Sequence, residues 1–138
     1  NNLYRLKKGI MRYFASPGKL ELEIAAFCER KKIRWALWPQ MDRYDVEIQF
    51  SDGEIWEIDA KAYRNPIALR TKIQNDNGFP DGEYARGYFV IPSEYTVNQQ
   101  NYTAIVNRIL ENQKNVKCVT LQSLKAEITR KEDSCCEG

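Results

Sequence analysis

The stretch "YDVEIQFSDGEIWEIDAKAY", residues 44–63, constrains the fold more than any other part of the chain. In its first half Val46, Ile48 and Phe50 alternate with Asp45, Glu47 and Gln49. In its second half Trp56, Ile58 and Ala60 alternate with Glu57, Asp59 and Lys61. A period of two marks a strand that buries one face and leaves the other wet. "SDG" between the halves reads as a tight hairpin turn over residues 52–53. Strands joined this way pair antiparallel, so the start of one lies beside the end of the next. Asp45 is therefore expected close to Asp59 and Lys61, with all three side chains on one face.

The flanking sequence supplies helices and further strands. Residues 20–32 carry Leu20, Ile24 and Phe27 at helical spacing. "IRWALWPQ" is a short strand stopped by Pro39, and Asn65-Pro66 reads as an N-cap and first-turn proline opening a helix to about residue 74. "NDNGFPDGEY" is a turn-rich loop, and "ARGYFVIP", the most continuously apolar segment, is expected to be a central strand. A helix over about 99–114, a strand "VKCVTL" and a helix "QSLKAEITRK" follow. The order helix, three strands, helix, strand, helix, strand, helix predicts an α/β fold, a mixed sheet flanked by helices. One domain is expected over 20–131, with 1–19 an extension or linker from a longer chain and 132–138 a polar tail.

Composition narrows the chemistry. The 138 residues contain no histidine, which excludes His-based triads, His-ligated zinc and histidine general bases. Cys28, Cys118, Cys135 and Cys136 have neither zinc-ligand spacing nor the pattern of a disulfide scaffold. With no targeting signal and no apolar run long enough to span a membrane, a cytoplasmic, reduced setting is expected. Net charge is only +2, yet basic residues bunch in "ERKKIR" and around Arg64, Arg70 and Lys72. Bunching permits a phosphate-binding face without requiring one.

Two carboxylates brought within a few ångströms repel unless a cation sits between them, and hard oxygen donors suit Mg²⁺ or Mn²⁺. A lysine beside them can orient a water and offset charge on a phosphate. A third acid is available on the first helix. At 100° per residue Glu23 lies about 60° from Leu20, at the rim of the apolar stripe, with Glu21 in reserve. The bland alternative is a wet sheet face carrying a weak cross-strand ion pair.

An acid on a helix, Asp45 opening a strand, thirteen intervening residues and Asp59-Ala60-Lys61 closing the next strand together resemble the PD-(D/E)xK, restriction-endonuclease-like nuclease superfamily. Within it, "WPQMDRYDVEIQFSDGEIWEIDAKAYRNP" looks most like the endonuclease-like domains associated with prokaryotic Piwi/Argonaute-type defence modules. The similarity covers about residues 20–92, an αβββαβ core, and leaves the later αβα as elaboration. Tyr44 stands where the family's name has proline. The acid-x-lysine string also occurs at Glu29-Arg30-Lys31, but there it lies in a helix, where positions two apart point away from each other.

The resemblance implies Asp45 and Asp59 as metal ligands, the backbone carbonyl of Ala60 as a further ligand, Lys61 as the catalytic lysine and Glu23 at the metal or its water. The implied activity is Mg²⁺- or Mn²⁺-dependent endonucleolytic hydrolysis of nucleic acid, DNA ahead of RNA, in a defence or restriction system. Lys31, Lys32, Arg64, Arg70 and Lys72 would hold the strand, in a homodimer or a larger defence assembly. The alternative keeps the fold without catalysis, as a nucleic-acid-binding or protein-interaction module.

Overall fold

A computed structural model of the chain describes residues 18–39 and 44–137. In chain order these form α1 (Lys19–Arg30), β1 (Arg34–Pro39), β2 (Tyr44–Gln49), β3 (Ile55–Ala60), α2 (Pro66–Asn75), β4 (Arg86–Ile91), a 3₁₀ turn (Ser93–Thr96), α3 (Tyr102–Arg108), β5 (Val116–Thr120) and α4 (Leu121–Glu137). Among the described residues one five-stranded sheet runs in the order β1-β2-β3-β4-β5. The first three strands pair antiparallel, while β3-β4 and β4-β5 are parallel. This is the mixed α/β architecture expected of a restriction-endonuclease-like core. β4 is interior as expected, buried from Gly87 to Ile91, although β3 holds the middle position.

Side-chain alternation sorts the core into two layers. Val46, Ile48, Trp56, Ile58, Tyr88 and Val90 pack beneath α1 and α4 through Leu20, Ile24, Leu124 and Ile128. Phe89, Ile91 and Cys118 pack on the opposite face against Leu69 and Ile73 of α2 and Tyr102 and Val106 of α3. On that second face the polar sides of β2 and β3 are left to form a trough.

The β2–β3 turn differs from the two-residue turn expected, and the difference sets the register. Gly53 N–H donates to Phe50 O at 2.9 Å and Phe50 N–H to Glu54 O at 2.9 Å, closing a three-residue loop, Ser51-Asp52-Gly53. A two-residue loop over Asp52 and Gly53 would set Ser51 across from Glu54 and hence Asp45 across from Ala60, leaving Asp45 and Asp59 on opposite faces. The extra residue shifts pairing by one, and Asp45 stands directly across from Asp59. Gly53 makes this loop with φ +90°, a left-handed conformation that costs an L-residue about 1–2 kcal/mol. Gly53→Ala is accordingly expected to lose about that much in urea unfolding. An alanine Cβ would meet nothing within 4 Å, so the loss is backbone strain alone. Gly53→Asn should lose clearly less, since asparagine tolerates this region; equal losses would contradict the account.

Other boundaries also moved. Asn65 caps α2 as expected, its Oδ1 accepting Ile67 N–H at 2.8 Å ahead of Pro66. The helix expected over 99–114 shortens to Tyr102–Arg108. Gln113 accepts Phe79 N–H at 2.8 Å and donates to Phe79 O at 3.0 Å, pinning the 76–85 loop. Asn107 does the same for Cys118, at 2.7 and 3.0 Å, along the outer edge of β5. The last helix runs through the expected polar tail to Glu137. Lys131 reaches Asp52 at 2.7 Å and Glu54 at 3.1 Å, and Ser51 donates to Glu132 at 2.7 Å, so α4 is latched to the β2–β3 turn.

Candidate active site

The register builds the site. Asp45 faces Asp59, and one step along the same face Glu47 faces Glu57. Two opposed acid pairs thus line one wall of a trough of about 410 Å³. Asp81, Glu83 and Tyr84 of the pinned 76–85 loop form the other wall. Burial raises the Tyr84 phenol pKa first, and the negative charges of Asp81 and Glu57 add to it. Glu57 was the one acid on this face with no assigned partner in sequence. It now has a place opposite Glu47, whose Oε1 also accepts Trp38 Nε1–H at 2.6 Å.

Lys61 follows the end of β3, tied to the sheet by its N–H donating to Val90 O at 2.7 Å. Its side chain is 8% exposed and places Nζ 3.4 Å from Asp59 Oδ2, itself 5% exposed. An ammonium and a carboxylate held this far from water attract each other more strongly than an exposed pair would. Ala60 closes β3 between them.

The helix acid coupled to this pair is Glu21. Its carboxyl pKa is raised, first by burial; Asp59's negative charge raises it further while Lys61 lowers it. Glu23, the choice of helical-wheel reasoning, lines the same neighbouring cavity of about 390 Å³ as Glu21 and Ala60. Glu21 sits in the first turn of α1, and the helix N-terminus is the end that approaches β3's carboxyl end. A wheel fixes direction around an axis and not position along it, which is why the two acids could not be separated in sequence.

The raised Glu21 pKa has a stability consequence with a definite sign. Between the unfolded and the raised folded pKa the folded chain binds more protons, so this group's contribution falls as pH rises. Glu21→Gln is therefore expected to raise Tm at pH 7 without metal. The gain should vanish below the ordinary glutamate range, where both side chains are neutral. A pH-independent shift in Tm would refute this origin.

The expected cations divide sharply. Arg64 stands at the site end, its guanidinium 5.5 Å from the Tyr95 ring centroid. Arg70 and Lys72 lie farther along α2, and Lys72 is paired with Asp76 at 3.2 Å. Lys31 and Lys32 are not brought to the site. α1 points its C-terminus the other way, and Lys32 borders a small cavity with Arg34, Gln49 and Gly53 at the turn end of the hairpin. The four residue steps from Asp45 to Gln49 alone separate the two ends by about 13 Å.

Hard carboxylate oxygens with a backbone carbonyl nearby are a donor set for Mg²⁺ or Mn²⁺ and not for a thiolate-preferring metal. No group of three His, Cys, Asp or Glu that could hold a metal ion occurs among the described residues. A site here would rest on the Asp45–Asp59 pair completed by carbonyl, water and substrate oxygens, which is how Mg²⁺ is commonly held.

No helix among the described residues is long and apolar enough to cross a membrane. No curated protein matches the sequence. The family described as "REase associating with pPIWI_RE" matches residues 18–134, spanning the whole sheet, α1 and most of α4. With acid facing acid on β2 and β3, a lysine beside them and the helix order around them, this chain belongs to that family of restriction-endonuclease-like domains linked to prokaryotic Piwi-type modules.

Proposed function

We propose that the domain is a metal-dependent nuclease that hydrolyses phosphodiester bonds, DNA ahead of RNA, within a cytoplasmic Piwi-type defence assembly. The observation that carries the proposal is Asp45 directly opposite Asp59, with Lys61 Nζ 3.4 Å from Asp59 Oδ2. Asp45, Asp59 and the Ala60 carbonyl are the groups that would hold Mg²⁺ or Mn²⁺. The bound ion would supply positive charge at the scissile phosphate and favour ionisation of a water.

The chain's own residues do the rest. Asp59 fixes the Lys61 ammonium, which can hold a water in line with the phosphorus and offset charge as the transition state forms. Glu21, with its raised pKa, can take a proton from water on the α1 side of the pair. Arg64 contacts the strand beside the site. Buried Cys28 and Cys118, their thiols pushed up to about 12 by burial, are inert, in keeping with a reduced compartment.

The buried Asp59–Lys61 contact also favours a second reading, a scaffold that keeps the pair for structure alone. Calorimetry with Mn²⁺ separates the two. The nuclease reading expects binding by the wild type that Asp45→Asn weakens at least tenfold, together with Mn²⁺-dependent cutting of DNA. Unchanged binding in Asp45→Asn, or none by the wild type, leaves the scaffold.

A further inference from the structure

We propose that the cavity beside the carboxylate pair receives one unpaired base of the substrate strand, next to the scissile phosphate; the proposal rests on the nuclease reading above. The cavity, about 390 Å³, opens where β3 and β4 end and α1 and α4 begin. That volume falls in the lower part of the range of small-ligand sites. It is continuous with the acid pair by chain and by field. Ala60, which lines it, is flanked by Asp59 and Lys61, and Glu21, which also lines it, has an ionisation that responds to both.

The lining decides which part of a nucleotide can enter. Leu20, Pro92 and Leu121 give an apolar floor, and the aromatic side chain of Tyr95, packed on the second core layer, forms part of the wall; base–aromatic contact of this kind is tolerant of sequence. Glu21, Glu23 and Glu94 give carboxylate acceptors, against one described cation, Lys19. Three carboxylates repel a phosphate, so the backbone must stay outside with Lys61 and Arg64 while the neutral base turns in. Arg64 already lies 5.5 Å from the Tyr95 ring centroid, so the residue under the base also holds the cation nearest the backbone. Acceptors favour bases with exocyclic amines, the N6 amine of adenine, N4 amine of cytosine or N2 amine of guanine, over thymine, which has none. A base can reach the cavity only out of its stack, so single-stranded or locally opened DNA is the expected substrate form.

The test measures binding in EDTA, so that it does not depend on cleavage. Fluorescein-labelled 12-nucleotide single-stranded DNA, with one abasic position moved along it, is titrated by anisotropy. At one position the abasic sugar should weaken wild-type binding by about 5- to 100-fold, the range for one base–aromatic stack. Adenine or cytosine there should bind more tightly than thymine. Tyr95→Ala should show the same loss, Tyr95→Phe should not, and the abasic and Tyr95→Ala losses should not multiply. The abasic arm changes no protein residue, so it stands even if a variant unfolds. Uniform affinity at every abasic position, or losses that multiply, would overturn the pocket while leaving the nuclease reading intact. If this binding pattern is seen but Lys61→Met still cuts DNA, the pocket stands and the role given to Lys61 falls.

Discussion

Replacing Lys61 with methionine is expected to lower DNA cleavage by about 10²–10³-fold, the usual cost of losing one preorganised charge at a developing oxyanion. The same change should destabilise the metal-free domain by about 3 kcal/mol, near the low end for breaking a buried ion pair. Lys61 and Asp59 are 6% and 3% exposed, and Asp45 faces Asp59 across the hairpin. Without the ammonium, two carboxylates oppose each other in a place water barely reaches. A second substitution tests where the stability loss comes from. Asp59→Asn/Lys61→Met removes both charges and should recover most of the lost stability, because deleting both partners is far cheaper than deleting one. It should recover none of the activity. Single-turnover cleavage in Mn²⁺ and urea unfolding in EDTA would be measured on both variants. A double variant as unstable as Lys61→Met would show that the Asp59 carboxylate left without its ammonium is not the source of the loss.

Trp56→Ala is expected to cost about 3–5 kcal/mol, the largest stability loss of any single truncation considered. Trp56 is fully buried, its ring 4.6 Å from Phe50 and 5.3 Å from Tyr88, with Nε1–H donating to Glu54 at 2.7 Å. Arg86 lies 4.9 Å from the same ring. Truncation leaves a void in the layer under α1 and α4 and strands the Glu54 and Arg86 contacts. Since domains of this size hold about 5–15 kcal/mol, at least about a fifth of the stability would go. Trp56→Phe should lose less than half as much. A loss under about 1 kcal/mol for Trp56→Ala would mean that the layer collapses around the void, contrary to close packing.

Much of this was legible in the sequence, for identifiable reasons. Val46-Ile48 and Trp56-Ile58 alternate so cleanly that strand, face and partner followed, and with them the meeting of Asp45, Asp59 and Lys61. Asn65-Pro66 announced its helix because cap chemistry is local. What escaped were properties set at a distance or by hydrogen bonds across a turn. "SDG" does not reveal whether its loop has two residues or three; the hydrogen bonds that pair Phe50 with Glu54 decide it. Lys31 and Lys32 looked like strand-holding cations because charge runs carry no direction, whereas α1 takes them to the far end of the sheet. Glu132 and Cys135 looked like tail because Ser51 and the core that receive them are some 80 positions upstream. Glu57 looked surplus because its partner Glu47 becomes visible only once the register is known.

The hairpin register carries one more consequence, for the order in which the molecule assembles. Asp45 and Asp59 meet across 14 positions of chain, while Trp56 meets Arg86 across 30 and Gly87 meets Val116 across 29. Short loops close faster than long ones, and parallel crossovers must wait for their connecting helices. The acids are therefore brought face to face by one of the two local hairpin pairings of the sheet, ahead of the parallel strands and the helices packed on them. Their repulsion opposes an early step of folding, so a divalent ion that binds between them would act as a folding cofactor before it acts as a catalytic one.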